Sequence, residues 1–224
     1  MKMSRMQKFI GYFWGTIVSP QKSFQQIQDE QSKLVGLTPV IILGFLASIT
    51  YFVSYLYGAS VTMEELYAGM FGVEPLIHIP KEAYRLWEAS FILPVYIVAW
   101  ILLSGFAYLG ARAFGVKESL KEDLNVLGFA YFVPLYFFVV LDFFLIGPAY
   151  SWNLAAARGL YGPVIQSIAE SLGFLYIGIP FGVWAPVLTV IAVKKTKGLS
   201  LWKAVLVALI ALIPPNALFM ILIR

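Results

Sequence analysis

Five apolar runs, each long enough to cross a bilayer as a helix, dominate this 224-residue chain. They fall at about residues 34–57, 91–111, 124–147, 172–193 and 201–223. At 1.5 Å of rise per residue, roughly 20 apolar residues cover a hydrocarbon core of about 30 Å. Inside lipid every backbone N–H and C=O must be paired by the protein itself, and a helix does this within one segment. The runs therefore predict an all-α integral membrane protein, a bundle of five transmembrane helices. Composition agrees: 60% of residues are hydrophobic and 12% charged, against about half and a quarter in soluble domains.

The basic residues set the expected orientation. Lys2, Arg5, Lys8, Lys22 and Lys33 precede the first run, Arg112, Lys117 and Lys121 separate the second from the third, and Lys194, Lys195, Lys197 and Lys203 surround the gap before the fifth. The other side has only Lys81, Arg85, Arg158 and Arg224. Basic loops stay in the cytoplasm, so the N-terminus is expected inside and the C-terminus outside. A net charge of +4 distributed in this way follows membrane topology and not the basic face of a nucleic-acid binder.

Residues 1–33 are expected to form a cytoplasmic amphipathic segment ahead of a membrane domain over residues 34–224. Lys2, Arg5 and Lys8 lead into an apolar stretch too short to span, and no small-residue cleavage site follows it. Two placements are open: Phe9, Phe13, Trp14 and Ile17 dipping into lipid with Lys2, Arg5 and Lys8 at the headgroups, or a helix packed on the bundle. The outer connections, residues 58–90 and 148–170, are the long ones. In the first, Thr62 to Glu65 reads as a capping box, and Pro80 suits the first turn of a helix running into the second span. The second, nearly uncharged, is expected to lie on the membrane or cap the bundle.

Candidate chemistry is sparse. Asp142 is the one acidic residue inside a run, and such groups are functional candidates by default. Asn216, directly after Pro214–Pro215, marks a place where the fifth helix is expected to be disrupted; broken helices can line ion or substrate sites, or be packing devices with satisfied polar atoms. Asp142 and Asn216 together form the candidate intramembrane polar site. Gly178 and Gly182 have the GxxxG spacing that lets helices approach closely. With no cysteine and a lone histidine, His78, thiol catalysis, histidine-activated serines and multi-ligand metal sites have no residues to work with. No phosphate-binding loop occurs. No cofactor, metal or enzymatic activity is expected.

Three stretches resemble the Yip (Ypt-interacting protein) domain family. Ser19–Pro20 with Phe24 and Ile27 is similar to the family's turn and amphipathic helix before the first span. Gly115, Ser119, Leu120, Leu124, Gly128, Ala130 and Pro134 look like its inner loop and third span. Trp184, Gly198–Leu199–Ser200 and Lys203–Ala204 look like its hinge between spans four and five. The Asp-Leu-Tyr-Gly-Pro motif of eukaryotic members is missing before span one, which suggests a prokaryotic-type member in a cytoplasmic membrane. The resemblance implies a non-enzymatic membrane organiser or scaffold whose partners are lipids and other membrane proteins or further copies of itself. A small transporter or channel built around Asp142 and Asn216 is the alternative.

Overall fold

The computed structural model describes residues 4–30, 34–56, 81–117, 119–157 and 178–222, and these are helical with short connections. The helices are α1 (Arg5–Val18), α2 (Pro20–Asp29), α3 (Leu37–Leu56), α4 (Lys81–Ala113), α5 (Leu120–Ala157), α6 (Ala185–Lys197) and α7 (Leu201–Leu222), with a π-helical stretch, Gly178–Trp184, leading into α6. By length and composition three helical segments can cross a membrane: Arg85–Ala113, Leu120–Val140 and Leu201–Phe219. Leu37–Val53 is a shorter apolar helix.

Local signals explain the ends. Ser4 caps α1 reciprocally with Gln7: the Gln7 N–H donates to Ser4 Oγ at 3.2 Å and the Ser4 N–H to Gln7 Oε1 at 2.9 Å. Pro20, whose missing N–H costs nothing in a first turn, opens α2. Gly198 stops α6 in the left-handed region at φ 60°, a conformation that side chains with a Cβ disfavour.

Helix α5 is the axis. Every residue from 125 to 136 is buried, so this helix is apolar all round because it is enclosed all round. The other helices form a ring about it. Going round, α3 packs on α4, α4 on α7, α7 on α6, α6 on α2, and α2 on α1, while α1, α2, α3, α4 and α6 all reach α5. Phe129, Tyr131, Phe132 and Leu135 of α5 fill the centre with Leu43, Ile92, Tyr96, Leu103, Leu188 and Val207 from the ring. Outside, α3 exposes Phe45 and Ile49, α4 Ile101 and Leu109, and α7 Leu209 and Ile213. A water-soluble monomer rarely shows apolar surface on this scale.

Residues 81–90 form the helix expected to run into the second span and are the first turns of α4. An expected boundary moves: residues 148–157, read as outer connection, continue α5. Pro94, Pro134, Pro148, Pro214 and Pro215 all sit within helices. The double proline does not end α7. The fourth apolar segment also runs on past residue 193 to Lys197. The capping box at Thr62 to Glu65, Pro80, His78 and the remainder of the second outer connection lie outside the described residues.

The tightest crossing joins the start of α3 to α5. A Cβ added to Gly128 would collide with the Gly36 carbonyl, and one on Gly36 with the carbonyls of Leu124 and Asn125. Backbone contact here lets the Gly36 N–H donate to Asn125 Oδ1 at 3.3 Å and Tyr136 Oη to the Pro39 carbonyl at 2.7 Å. Gly128→Ala is therefore expected to destabilise the detergent-solubilised protein by about 1–3 kcal/mol, the usual cost of overpacking. Gly105, where an added Cβ meets nothing within 4 Å, is the control. Thermal unfolding should show a lowered midpoint for Gly128→Ala and an unchanged or slightly raised one for Gly105→Ala.

Candidate functional site

The N-terminal helices form a two-helix hairpin on the bundle's basic end. Gly15 lets them meet closely, since an added Cβ would lie 2.9 Å from Ser23 Oγ. The Tyr12 carbonyl accepts from both Thr16 Oγ1 at 2.8 Å and Ser23 Oγ at 3.2 Å. At the open end Lys8 Nζ donates to both Glu30 oxygens, at 3.0 and 2.8 Å, and Tyr12 Oη donates to Glu30 Oε2 at 3.0 Å. Burial first, then the hydrogen bond and the charge of Glu30, push the Tyr12 phenol up to about 12. A raised acid stays protonated longer, so this tie is whole below the ordinary tyrosine value near 10 and is lost as pH climbs through about 12.

Helix α1 has two apolar faces. Phe9, Tyr12 and Phe13 turn inward: Phe9 and Tyr12 stack against Phe129 with ring centroids 6.0 and 5.8 Å apart, and Phe13 meets Tyr136 edge-on at 5.1 Å. Ile17 packs on the same core. The expectation that Phe9, Phe13 and Ile17 dip into lipid is thus corrected, since the aromatic surface of α5 takes them. The opposite face keeps Met6, Ile10, Trp14 and Val18 exposed at 65, 48, 57 and 78%. Their spacing of four residues draws one stripe along the helix. Lys8 lies at the hairpin's mouth, its charge already engaged by Glu30. Arg5 is on α1 with its side chain outside the described residues, as is Lys2 altogether.

Beneath the hairpin, at the α5–α6 contact, Lys197 Nζ and Asp123 Oδ1 are 2.8 Å apart with side chains only 1 and 3% exposed. Gln28 of α2 spans the joint, its Nε2 lying 3.4 Å from both Glu122 Oε2 and the Thr196 carbonyl. Gln25, Gln28, Asp29, Glu122 and Lys195 line a polar cavity of about 300 Å³ above it. At the other end of α4, Arg85 Nη1 donates to the buried Glu88 at 2.7 Å and the guanidinium lies 5.6 Å from the centre of the Tyr51 ring. Sequence reading placed Glu88, Asp123 and Lys197 in loops and missed them. Their signal was the pairing of opposite charges near span ends, which needs the fold to become visible.

Of the expected intramembrane site, Asn216 is the residue whose side chain is described. Asn216 is satisfied locally: its Nδ2 donates to the Leu212 carbonyl at 2.8 Å, and its Oδ1 accepts from Tyr131 Oη at 3.1 Å. Asp142 lies eleven residues beyond Tyr131 on α5, about 16 Å further along the axis; its side chain lies outside the described residues. Gly182 belongs to the π-helical stretch, and an added Cβ there meets nothing within 4 Å, so it makes no close helix contact among the described residues. Gly178 opens the same stretch. Among the described residues no group of three or more His, Cys, Asp or Glu could hold a metal.

The buried Lys197–Asp123 pair gives a direct expectation. Removing one partner strands a charge, so Asp123→Asn or Lys197→Met should each cost about 3–5 kcal/mol, whereas the apolar double variant Asp123→Leu/Lys197→Met should recover much of the loss. Thermal unfolding of the four proteins in one detergent closes the cycle, and equal, additive losses would count against coupling.

Neither the curated proteins nor the solved structures include a match to this chain. The family model of the Yip1 domain matches residues 14–223, from the middle of α1 through the end of α7. With its apolar helices wrapped about a buried axis, the chain belongs to the Yip1 domain family and is an integral, multi-pass membrane protein.

Proposed function

We propose that this protein is a non-enzymatic membrane organiser that works through its surfaces, with five spans, a cytoplasmic N-terminus and the hairpin α1–α2 lying at the inner leaflet of a prokaryotic cytoplasmic membrane. The observation that carries this reading is the two-faced α1. Its inner face is fastened to α5, while Met6, Ile10, Trp14 and Val18 stand exposed along one stripe. Such a stripe beside basic residues suits insertion at the headgroup boundary, and the basic end favours anionic lipid by about 1 kcal/mol per well-placed cation. The filled centre of the bundle and the local satisfaction of Asn216 favour this over a transport path. The fourth and fifth crossings are assigned to the Gly178–Lys197 segment and to α3. Helix-to-helix contact with other membrane proteins, or with further copies, would use the exposed apolar faces of the ring.

The cysteine-free sequence makes topology and depth measurable with single cysteines. In intact bacterial cells a membrane-impermeant maleimide should label Glu65→Cys and spare Lys117→Cys and Lys195→Cys; the reverse pattern would invert the orientation. In vesicles, an environment-sensitive dye at Ile10→Cys or Trp14→Cys should be quenched by brominated lipid, while one at Gln7→Cys, on the polar side of α1, should not. Equal quenching at positions 7 and 10 would remove the interfacial placement.

A further inference from the structure

The ring around α5 is open between α1 and α3. There a cleft of about 480 Å³ opens, lined by Met6, Phe9, Leu34, Val35, Ile42 and Phe129 with Lys8, Tyr12, Glu30 and Thr38 also in its walls. Apolar side chains from three helices make most of the wall, and the polar groups include one cation and one carboxylate held 2.8 Å apart. This is the pattern of an amphiphile's two ends. Met6 belongs both to the cleft and to the exposed stripe of α1, so the cleft continues the surface assigned to lipid.

We propose that this cleft holds a single phospholipid with a zwitterionic, primary-amine headgroup, its acyl chain against Phe9, Val35, Ile42 and Phe129 and its phosphate and ammonium paired with Lys8 and Glu30. The proposal rests on the membrane-surface reading of the hairpin and names the lipid it selects. Charge complementarity chooses the headgroup. An anionic headgroup would compete with Glu30 for Lys8 and bring a second negative charge against a carboxylate only 20% exposed, a costly approach of like charges. A headgroup carrying both signs exchanges with the pair and leaves each charge matched. A quaternary ammonium has no N–H to give Glu30, whereas a primary ammonium donates charge-assisted hydrogen bonds.

The test is native mass spectrometry of the full-length protein in mild detergent, titrated separately with phosphatidylethanolamine, phosphatidylcholine and phosphatidylglycerol of the same acyl chains. One phosphatidylethanolamine should bind at about tenfold lower concentration than the other two, a preference of the size one charge-assisted hydrogen bond supplies. Glu30→Gln should reduce it to the phosphatidylcholine level, and Ile42→Trp, which fills the cleft, should remove the single-lipid adduct for all three. Equal binding of the three lipids, unchanged in Ile42→Trp, would overturn the proposal in favour of annular lipid. A preference for phosphatidylglycerol that vanishes in Lys8→Gln would overturn it in favour of an anionic site. Unchanged helicity and elution volume identify variants that remain folded, and because Glu30→Gln and Ile42→Trp act on different walls, either one alone decides the outcome. Dye quenching at Ile10→Cys reports the surface reading separately: its loss with phosphatidylethanolamine selection intact would discard the placement of α1 and keep the cleft.

Discussion

A helix buried on every side has to be surrounded, and that requirement shapes the rest of this protein. Over residues 125–136 helix α5 shows no face to lipid, so its neighbours must cover it all round. The N-terminal hairpin supplies part of that cover. Phe9, Tyr12 and Phe13 cover Phe129 and Tyr136, a job that a transmembrane helix would otherwise do. The amphipathic start of the chain is thus a structural part of the bundle, and its second, outward apolar stripe is what remains once the inner face has been used.

Burial of α5 also dictates where small and charged residues go. Gly36 and Gly128 bring two backbones into contact, which no residue with a Cβ permits, and the gain is dispersion contact between helices in a solvent that offers no hydrophobic drive for their association. Charges are kept in pairs at the two ends: Lys197 with Asp123 near the basic end, Arg85 with Glu88 at the far end of α4. Neither pair is a strong stabiliser against an apolar replacement of equal shape. The Lys197–Asp123 pair specifies geometry, because sliding one of its two helices past the other would strand a charge, whereas Arg85 and Glu88 lie one turn apart on α4 itself. The first pair fixes α6 against α5 directly under the place where Gln28 of α2 bridges both, so hairpin and bundle share one register.

How far the sequence disclosed this depends on the range of the interaction concerned. The apolar runs are local and long, and the helices Leu120–Val140 and Leu201–Phe219 lie where the runs predict. The turn at Ser19–Pro20 entered through the family resemblance, and α6 runs past the expected end at residue 193 before Gly198 stops it. The far end of α5 was not legible: residues 148–157 look mixed, yet they extend it, because helical hydrogen bonding continues wherever nothing forbids it. Asn216 was legible as a polar residue of the fifth run, but its contact with Tyr131 was not.

The same geometry bears on why a chain with so little catalytic equipment should retain ionisable groups at all. A transport path needs polar groups spaced so that an ion or proton can pass from one to the next with water between them. Between Glu88 and Asp123 the interior is instead filled by Ile92, Tyr96, Leu103, Phe129 and Phe132, and two of the polar side chains there have fixed partners: Trp100 Nε1 donates to the Leu124 carbonyl at 2.7 Å, and Tyr131 Oη to Asn216 at 3.1 Å. These bonds tie helices to one another and lead nowhere along the axis. The accessible polarity sits at the hairpin, where Lys8, Tyr12 and Glu30 border an apolar cleft and Gln25, Asp29 and Lys195 border a polar one.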